Sequence, residues 1–268
     1  MGKYNTLFKI NKILTNLVGK WLSLLRIPAY LKLRNVIKFN KNLKAKRSSD
    51  KCYICGLGPS LKDIDISKLD ADIIAVNRFN MVGADNNVTP TYYCIIDNSF
   101  FEGKDKNDFY NAVDKYPNTA FVLNGKYYTQ IQKKFGYKDN FFYACFWKGI
   151  FTQKNKIDFR KILPVFINVV GAAIALAMFV GYKEIILLGC DFNSFASPKA
   201  VHCYDEVNQD RKWTMAFELF SYSFAADMHY ELQKYAKINN IRIINSSKGS
   251  LLDAYEKDLA IIKPFLHL

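Results

Sequence analysis

From residue 52 onward the chain repeats one pattern: a short apolar run, a turn residue, then a longer mixed segment. Cys52–Cys55 is closed by Gly56-Leu57-Gly58-Pro59-Ser60, Ile73–Val76 by Asn77, and Tyr92–Ile96 by Asp97-Asn98. Ala120–Leu123 and Phe141–Ala144 repeat the run, Ile185–Leu188 is stopped by Gly189-Cys190-Asp191, and Ile241–Ile244 precedes Asn245-Ser246-Ser247. Runs this short and this apolar predict strands buried on both faces. Residues 169–180 are rich in small apolar side chains and end at Gly181, and 213–237 carry a helical period; both predict helices. Apolar strands alternating with helices predict an α/β fold, a single Rossmann-like domain with a mostly parallel sheet.

The first 50 residues follow another rule. Leu7, Ile10, Leu14, Leu17, Trp21 and Leu24 recur at helical spacing with Lys9, Lys12 and Lys20 between them, predicting a basic amphipathic helix over 4–28. Eight Lys and Arg follow between Lys32 and Lys51. Two domains are therefore expected: 1–50 as a membrane-surface segment, and 51–268 as the Rossmann-like body with a polar lid at about 192–212.

Charge sharpens that division. The chain of 268 residues carries a formal charge of +14, yet residues 1–51 hold thirteen Lys and Arg against one acid, Asp50. The body is nearly neutral, which argues against nucleic acid as a partner. An acid-poor apolar and basic end suits the anionic inner leaflet of a membrane; the alternatives are a helix packed on the body and an organelle transit peptide. Lys20 and Arg26 interrupt the apolar run, which is too short for a membrane span or a secretory signal. Five of the six cysteines lie in or beside apolar runs and Cys52 and Cys55 point to opposite strand faces, so buried thiols in a reducing cytoplasm are expected rather than a zinc or redox site.

In an open parallel sheet ligands bind beyond the carboxyl ends of the strands. The polar residues there are Gly56–Ser60, Asn77-Arg78, Asp97-Asn98-Ser99, Asp191-Phe192-Asn193 and Asn245-Ser246-Ser247, a rim that also fits ordinary turns. The Gly56–Ser60 turn offers backbone N–H groups and a hydroxyl to a phosphate, although it is neither a dinucleotide-binding nor a Walker motif. Asp70-Ala71-Asp72 has the metal-binding D-x-D form but precedes a strand, at the wrong end of the sheet, and is assigned to surface charge; no metal site is expected. Of three histidines, His267 lies in the tail, His229 in the long helix as surface or packing, and His202 in the lid, where it could serve as general base. Lys199, Arg211 and Lys212 could counter a leaving phosphate from the same loop.

The segments Cys55–Asp65, Val76–Phe79, Asp97–Phe101, Gly181–Phe192 and Gly249–Leu252 resemble the bacterial lipooligosaccharide sialyltransferases over about 52–255. The Gly-Pro-Ser-Leu opening and the Gly-x-Asp strand end are also similar to a broader group of hydroxymethylpterin diphosphokinase-like proteins from polysaccharide loci. The resemblance implies a metal-independent glycosyltransferase moving a sugar, sialic acid or a related acidic sugar, from a CMP-linked donor; a homo-oligomer is compatible with it, and the basic segment 1–50 would place it peripherally on the cytoplasmic face of the membrane. Its partners would be a nucleotide-sugar donor and a glycan or glycolipid acceptor. It implies that Gly56, Gly58, Pro59 and Ser60 cradle the nucleotide phosphate, that Asn77 and Asn98 touch nucleotide and donor, that Asn168 borders the donor site, and that Asp191 ends the key strand. The chain departs from the family at Leu57, Val169, Asn193 and Lys199, and the family's histidine aligns with Ser223. His202 is therefore taken as substitute base, with Tyr204 or Lys199 stabilising the leaving phosphate. The competing expectations are a pterin-type diphosphokinase using ATP and magnesium, and a non-catalytic nucleotide-binding protein of a polysaccharide assembly complex.

Overall fold

The computed structural model describes residues 2–25, 27–82, 87–197, 202–204 and 213–267. Ten strands are present: β1 (Lys51–Cys55), β2 (Asp72–Val76), β3 (Tyr92–Ile95), β4 (Ala120–Asn124), β5 (Phe141–Ala144), β6 (Phe146–Ile150), β7 (Leu163–Val165), β8 (Glu184–Leu188), β9 (Arg242–Asn245) and β10 (Glu256–Lys257). Eight form one sheet in the order β10-β9-β8-β1-β2-β3-β4-β5, and every pairing in it is parallel. The expected single α/β domain with a mostly parallel sheet is thus what the chain forms. β6 and β7 make a separate parallel pair that the sequence pattern did not announce.

The helices are α1 (Gly2–Leu24), α2 (Ile27–Leu33), α3 (Phe79–Val82), α4 (Ser99–Glu102), α5 (Lys106–Lys115), α6 (Tyr128–Phe135), α7 (Val169–Val180) and α8 (Met215–Ile238). They cover both faces of the sheet. α7 and α8 pack on one face, where Ile54, Ile74, Cys94 and Leu187 point; α5 and α6 pack on the other, with Tyr53, Ala75, Tyr93 and Leu188. Cys52 and Cys55 fall on opposite faces and all six thiols are buried and unpaired, as alternation along a strand requires. α7 coincides with its expected span and ends at Gly181, whose φ of 109° is open to glycine at little cost.

Residues 36–46 form a tight helical segment in which Ile37, Asn40 and Leu43 are buried at every third position. The Asn40 side-chain amide donates to the carbonyls of Tyr143 (2.8 Å) and Phe159 (2.7 Å), and Leu43 O accepts from the Tyr92 hydroxyl at 2.8 Å. This stretch of the basic run is therefore part of the core, with its lysines turned outward. α1 lies across β6 and α8. Gly19 and Gly149 bring the two backbones together, since a Cβ on Gly149 would meet Asn16 Oδ1 at 2.7 Å. Phe8 packs on Phe224 with ring centroids 6.0 Å apart, and Lys12 pairs with Asp227. Among the described residues, no helix is long and apolar enough to cross a membrane.

Candidate functional site

β1 lies between β2 and β8: successive strands are added outward from β1 to β5 on one side and from β8 to β10 on the other, so the strand order reverses at β1/β8. Neighbouring crossovers leave to opposite faces at such a point, and a crevice opens beyond the strand ends. A pocket of about 290 Å³ occupies it, bordered by Gly56 and Gly58 after β1, Asn77 after β2, Asn168 at the start of α7, and Cys190 and Asp191 after β8. That volume stands at the lower end of the usual range for ligand pockets, roughly 300–1,000 Å³.

The Gly56–Ser60 turn is built to touch β8. A Cβ on Gly56 would sit 2.4 Å from Gly189 O, and one on Gly58 would sit 1.8 Å from Asp191 Oδ2. Neither position admits a side chain. Gly56 N–H donates to Leu188 O at 2.7 Å and Gly58 N–H to Gly189 O at 2.8 Å. Ser60 gives both its donors to Asp191, the N–H at 3.3 Å and the hydroxyl at 3.0 Å, and Pro59 has no N–H to give. In this conformation these donors are used inside the protein, binding the end of β1 to the end of β8. Ser60 and Asp191 are both buried. Burial raises the pKa of Asp191 above the usual carboxylate range, and the two bonds from Ser60 work against that rise.

The wider rim converges less than its sequence suggests. Asn245, Ser246 and Ser247 are buried and wire β9 to β8, with Cys190 N–H donating to Ser247 Oγ at 2.8 Å. Asn98 is exposed at the start of α4 and does not border the pocket, and Asp97 accepts from Ser99 N–H at 3.1 Å. Asp70 is exposed and pairs with Lys51 at 2.7 Å. Asp72 is buried rather than on the surface, accepting from Tyr182 (2.6 Å), Thr91 (2.9 Å) and Ser48. Burial opposes its charge, but those bonds outweigh it and lower its pKa.

Asn77 does border the pocket, at a left-handed φ of 46° that asparagine tolerates better than most residues. Its carbonyl accepts from the Tyr93 hydroxyl at 2.8 Å, while its buried Oδ1 has no hydrogen-bond partner among the described residues. A buried acceptor of this kind invites a ligand donor.

His202 reaches the pocket wall, and Cys203 N–H fastens this part of the lid to the turn by donating to Leu57 O at 2.9 Å. The His202 ring stacks on Tyr204 with centroids 5.1 Å apart. Tyr204 does not border the pocket; its hydroxyl bonds to Arg78. Arg78 is also held by Asp105 (2.6 Å) and Asp108 (2.7 Å). Lys199, Arg211 and Lys212 lie outside the described residues. No Lys or Arg is among the described residues that line the pocket.

The residue that sequence reasoning missed is His229. It is fully buried in α8 and forms pocket wall rather than surface. Asn168 Oδ1 accepts from Gly171 N–H at 2.7 Å, capping α7, which turns its Nδ2 toward His229 Nε2 at 3.1 Å. Nε2 therefore accepts, and Nδ1 carries the proton toward the Tyr255 hydroxyl at 2.8 Å. Burial lowers the pKa of His229 from 6.5 to about 3. It is a neutral ring that orients Asn168 and leaves the second N–H of that amide for the pocket. Tyr222, two turns earlier on the same face of α8, completes the wall, bonded to Ser194 at 2.5 Å and packed on Phe192 at 4.7 Å. Ser223, where the family histidine aligns, is exposed and bonded to Phe220 O. No signal marked His229 beyond its helical spacing from Tyr222.

Among the described residues no group of three or more His, Cys, Asp or Glu is placed to hold a metal ion.

Comparison with known proteins completes the picture. Residues 27–195 match the family described as 6-hydroxymethylpterin diphosphokinase MptE-like. Sequence comparison with curated proteins returns no match. The chain is similar to the sialyltransferase CstII from Campylobacter jejuni in complex with a substrate analogue, cytidine 5′-monophosphate: 20% identity, 77% of this chain and 84% of that one covered, TM-score 0.46. It is also similar to the monofunctional α-2,3-sialyltransferase Cst-I from the same organism, at 16% identity over 78% and 79% of the two chains, TM-score 0.48.

Proposed function

The chain belongs to the 6-hydroxymethylpterin diphosphokinase MptE-like family, and we propose that it acts there as a glycosyltransferase that takes a sugar from a nucleotide donor, CMP-linked by the motif resemblance, and passes it to a cell-surface glycan or glycolipid. The observation that carries the proposal is the pocket at the β1/β8 reversal, whose wall includes the hydrogen-bonding side chains of Asn77, Asn168, His202 and Tyr222. Such a lining suits a base and a sugar. The phosphate charge is then met by Lys199, Arg211 and Lys212 of the lid.

In the proposed reaction His202 takes the proton of the acceptor hydroxyl. The acceptor oxygen bonds to the anomeric carbon, and the bond from that carbon to the phosphate oxygen breaks with its electron pair leaving on the nucleotide. His229 is unsuited to this role, because both its nitrogens are bonded and its pKa is about 3. Tyr204 acts through its stack on His202 and through Arg78. No metal step is included, which is itself part of the proposal. The diphosphokinase alternative asks for a carboxylate pair; Asp191 is committed to Ser60 and Asp97 to Ser99 N–H. Residues 1–50 would seat the protein peripherally on the cytoplasmic face of an anionic membrane.

Thermal denaturation with CMP, UDP, GDP and ATP, with and without magnesium, tests this. CMP should raise the midpoint without metal; a response to ATP with magnesium alone would overturn the proposal. Unchanged turnover in His202→Ala would remove the base.

A further inference from the structure

The first two turns of α8 are built unlike the rest of it. Met215, Phe217, Leu219 and Phe220 are all exposed, and at 100° per residue they spread over an arc of roughly 200°, leaving the side of Glu218 and Tyr222 toward the body. Trp213, 60% exposed, packs its ring on Phe217 at 4.9 Å. A chain of rings then leads inward and across: Phe220 to Phe224 at 4.8 Å, and Phe224 to Phe8 of α1 at 6.0 Å. Phe8 sits beside Phe224 and Lys12 beside Asp227, so α1 and α8 run side by side in the same direction. On α1 the outward residues Leu7, Ile10, Leu14, Leu17 and Trp21 are each about half exposed or more. Exposed apolar side chains thus stand on two neighbouring helices that meet through the buried Phe224.

We propose that this composite surface, the start of α8 together with the outer face of α1, seats on an anionic lipid bilayer and holds the pocket at its edge. The proposal deepens the membrane reading given above and rests on it, adding an element from the opposite end of the chain. Charge selects the occupant. Residues 1–51 carry thirteen Lys and Arg and one acid, and Lys9, Lys32, Lys38 and Lys41 are exposed. A second copy of the chain, meeting this face by two-fold symmetry, would set like charge against like; an anionic leaflet is complementary to it. Trp213 and Trp21 suit the boundary between headgroups and acyl chains. Tyr222, on the pocket wall, follows Phe217 by roughly one and a half turns, about 8 Å along the helix. The α8 end buried in lipid and the pocket wall are one rigid rod.

The test uses the full chain and flotation with vesicles of phosphatidylcholine, alone or mixed with phosphatidylglycerol. The wild type should float with the mixed vesicles and not with the neutral ones. Phe217→Ser with Phe220→Ser, made on α8 with α1 untouched, should lower the bound fraction about tenfold or more while the thermal midpoint and the response to CMP stay in place. Leu14→Ser with Leu17→Ser is the companion on α1. If that variant loses binding while the α8 variant floats like wild type, the composite surface is wrong and the α1 membrane reading survives. If the wild type binds neither vesicle, both fail. If it sediments as a dimer that the α8 variant dissociates, without vesicle binding, the occupant is a second copy and the proposal is overturned. Loss of the CMP response in the wild type, with flotation retained, would strike the donor site alone.

Discussion

α7 and the start of α8 are both apolar, and the structure treats them in opposite ways. Every residue of α7 from Gly171 to Val180 is buried, because Gly171, Ala172, Ala173, Ala175 and Ala177 are small enough for the helix to settle against the sheet on one side and α8 on the other. The α8 start carries Trp213, Met215, Phe217 and Phe220, and these remain outside. α7 also buries Ile174, Leu176, Met178 and Phe179, and α8 buries Phe224 and Met228 further along, so position against the sheet rather than apolar composition decides what is taken in. What the fold leaves out in α8 becomes a surface.

Four experiments would break or sharpen that contrast. Ala175→Asp buries an unpaired carboxylate beneath the sheet and should cost about 3–5 kcal/mol, read as a fall in the urea midpoint. The buried half of α8 should show itself in acid. The pKa of His229 is depressed from 6.5 to about 3, so its neutral form contributes stability that is complete above pH 6.5 and is lost as pH falls from there toward about 3. The loss should reach a few kcal/mol, and in His229→Gln the slope of the unfolding free energy with pH should flatten over that window. The helix caps should differ next. Asn168→Ala removes the acceptor for Gly171 N–H at 2.7 Å and should cost about 1–2 kcal/mol, whereas Thr214→Ala, whose bond to Phe217 N–H is 3.3 Å and exposed, should cost a few tenths of that scale. Phe217→Ser should change stability by no more than about 0.5 kcal/mol. A large loss there would mean that the α8 start is core after all, and the contrast would collapse.

The strands were legible because each apolar run ends in a residue with a reason to stop it, Gly56, Asn77 or Gly189 among them, and α7 because Gly181 closes it. The stretch 36–46 was not, since Ile37, Asn40 and Leu43 recur every third residue among lysines, a period that reads as a basic tail until β5 and α7 are seen beneath it. The site was half legible. Gly56, Gly58, Asn77, Asn168, Asp191 and His202 do meet at one pocket. That Gly58 and Ser60 spend their donors on residues about 130 positions away was hidden, because which strands are neighbours follows from packing and not from local pattern. His229 was hidden for a related reason: a single histidine in a helix acquires meaning only from what α7 and Tyr255 bring to its two nitrogens.

The lie of α1 has a consequence in time. It is made before the surfaces that receive it: Gly149 on β6 and Phe224 on α8 come from much later in the chain. At roughly 5–20 residues per second a ribosome needs on the order of ten seconds or more to deliver them. Throughout that interval the nascent helix has its apolar side and its lysines free and no docking place of its own. A membrane, if one is near, is available before the rest of the protein is.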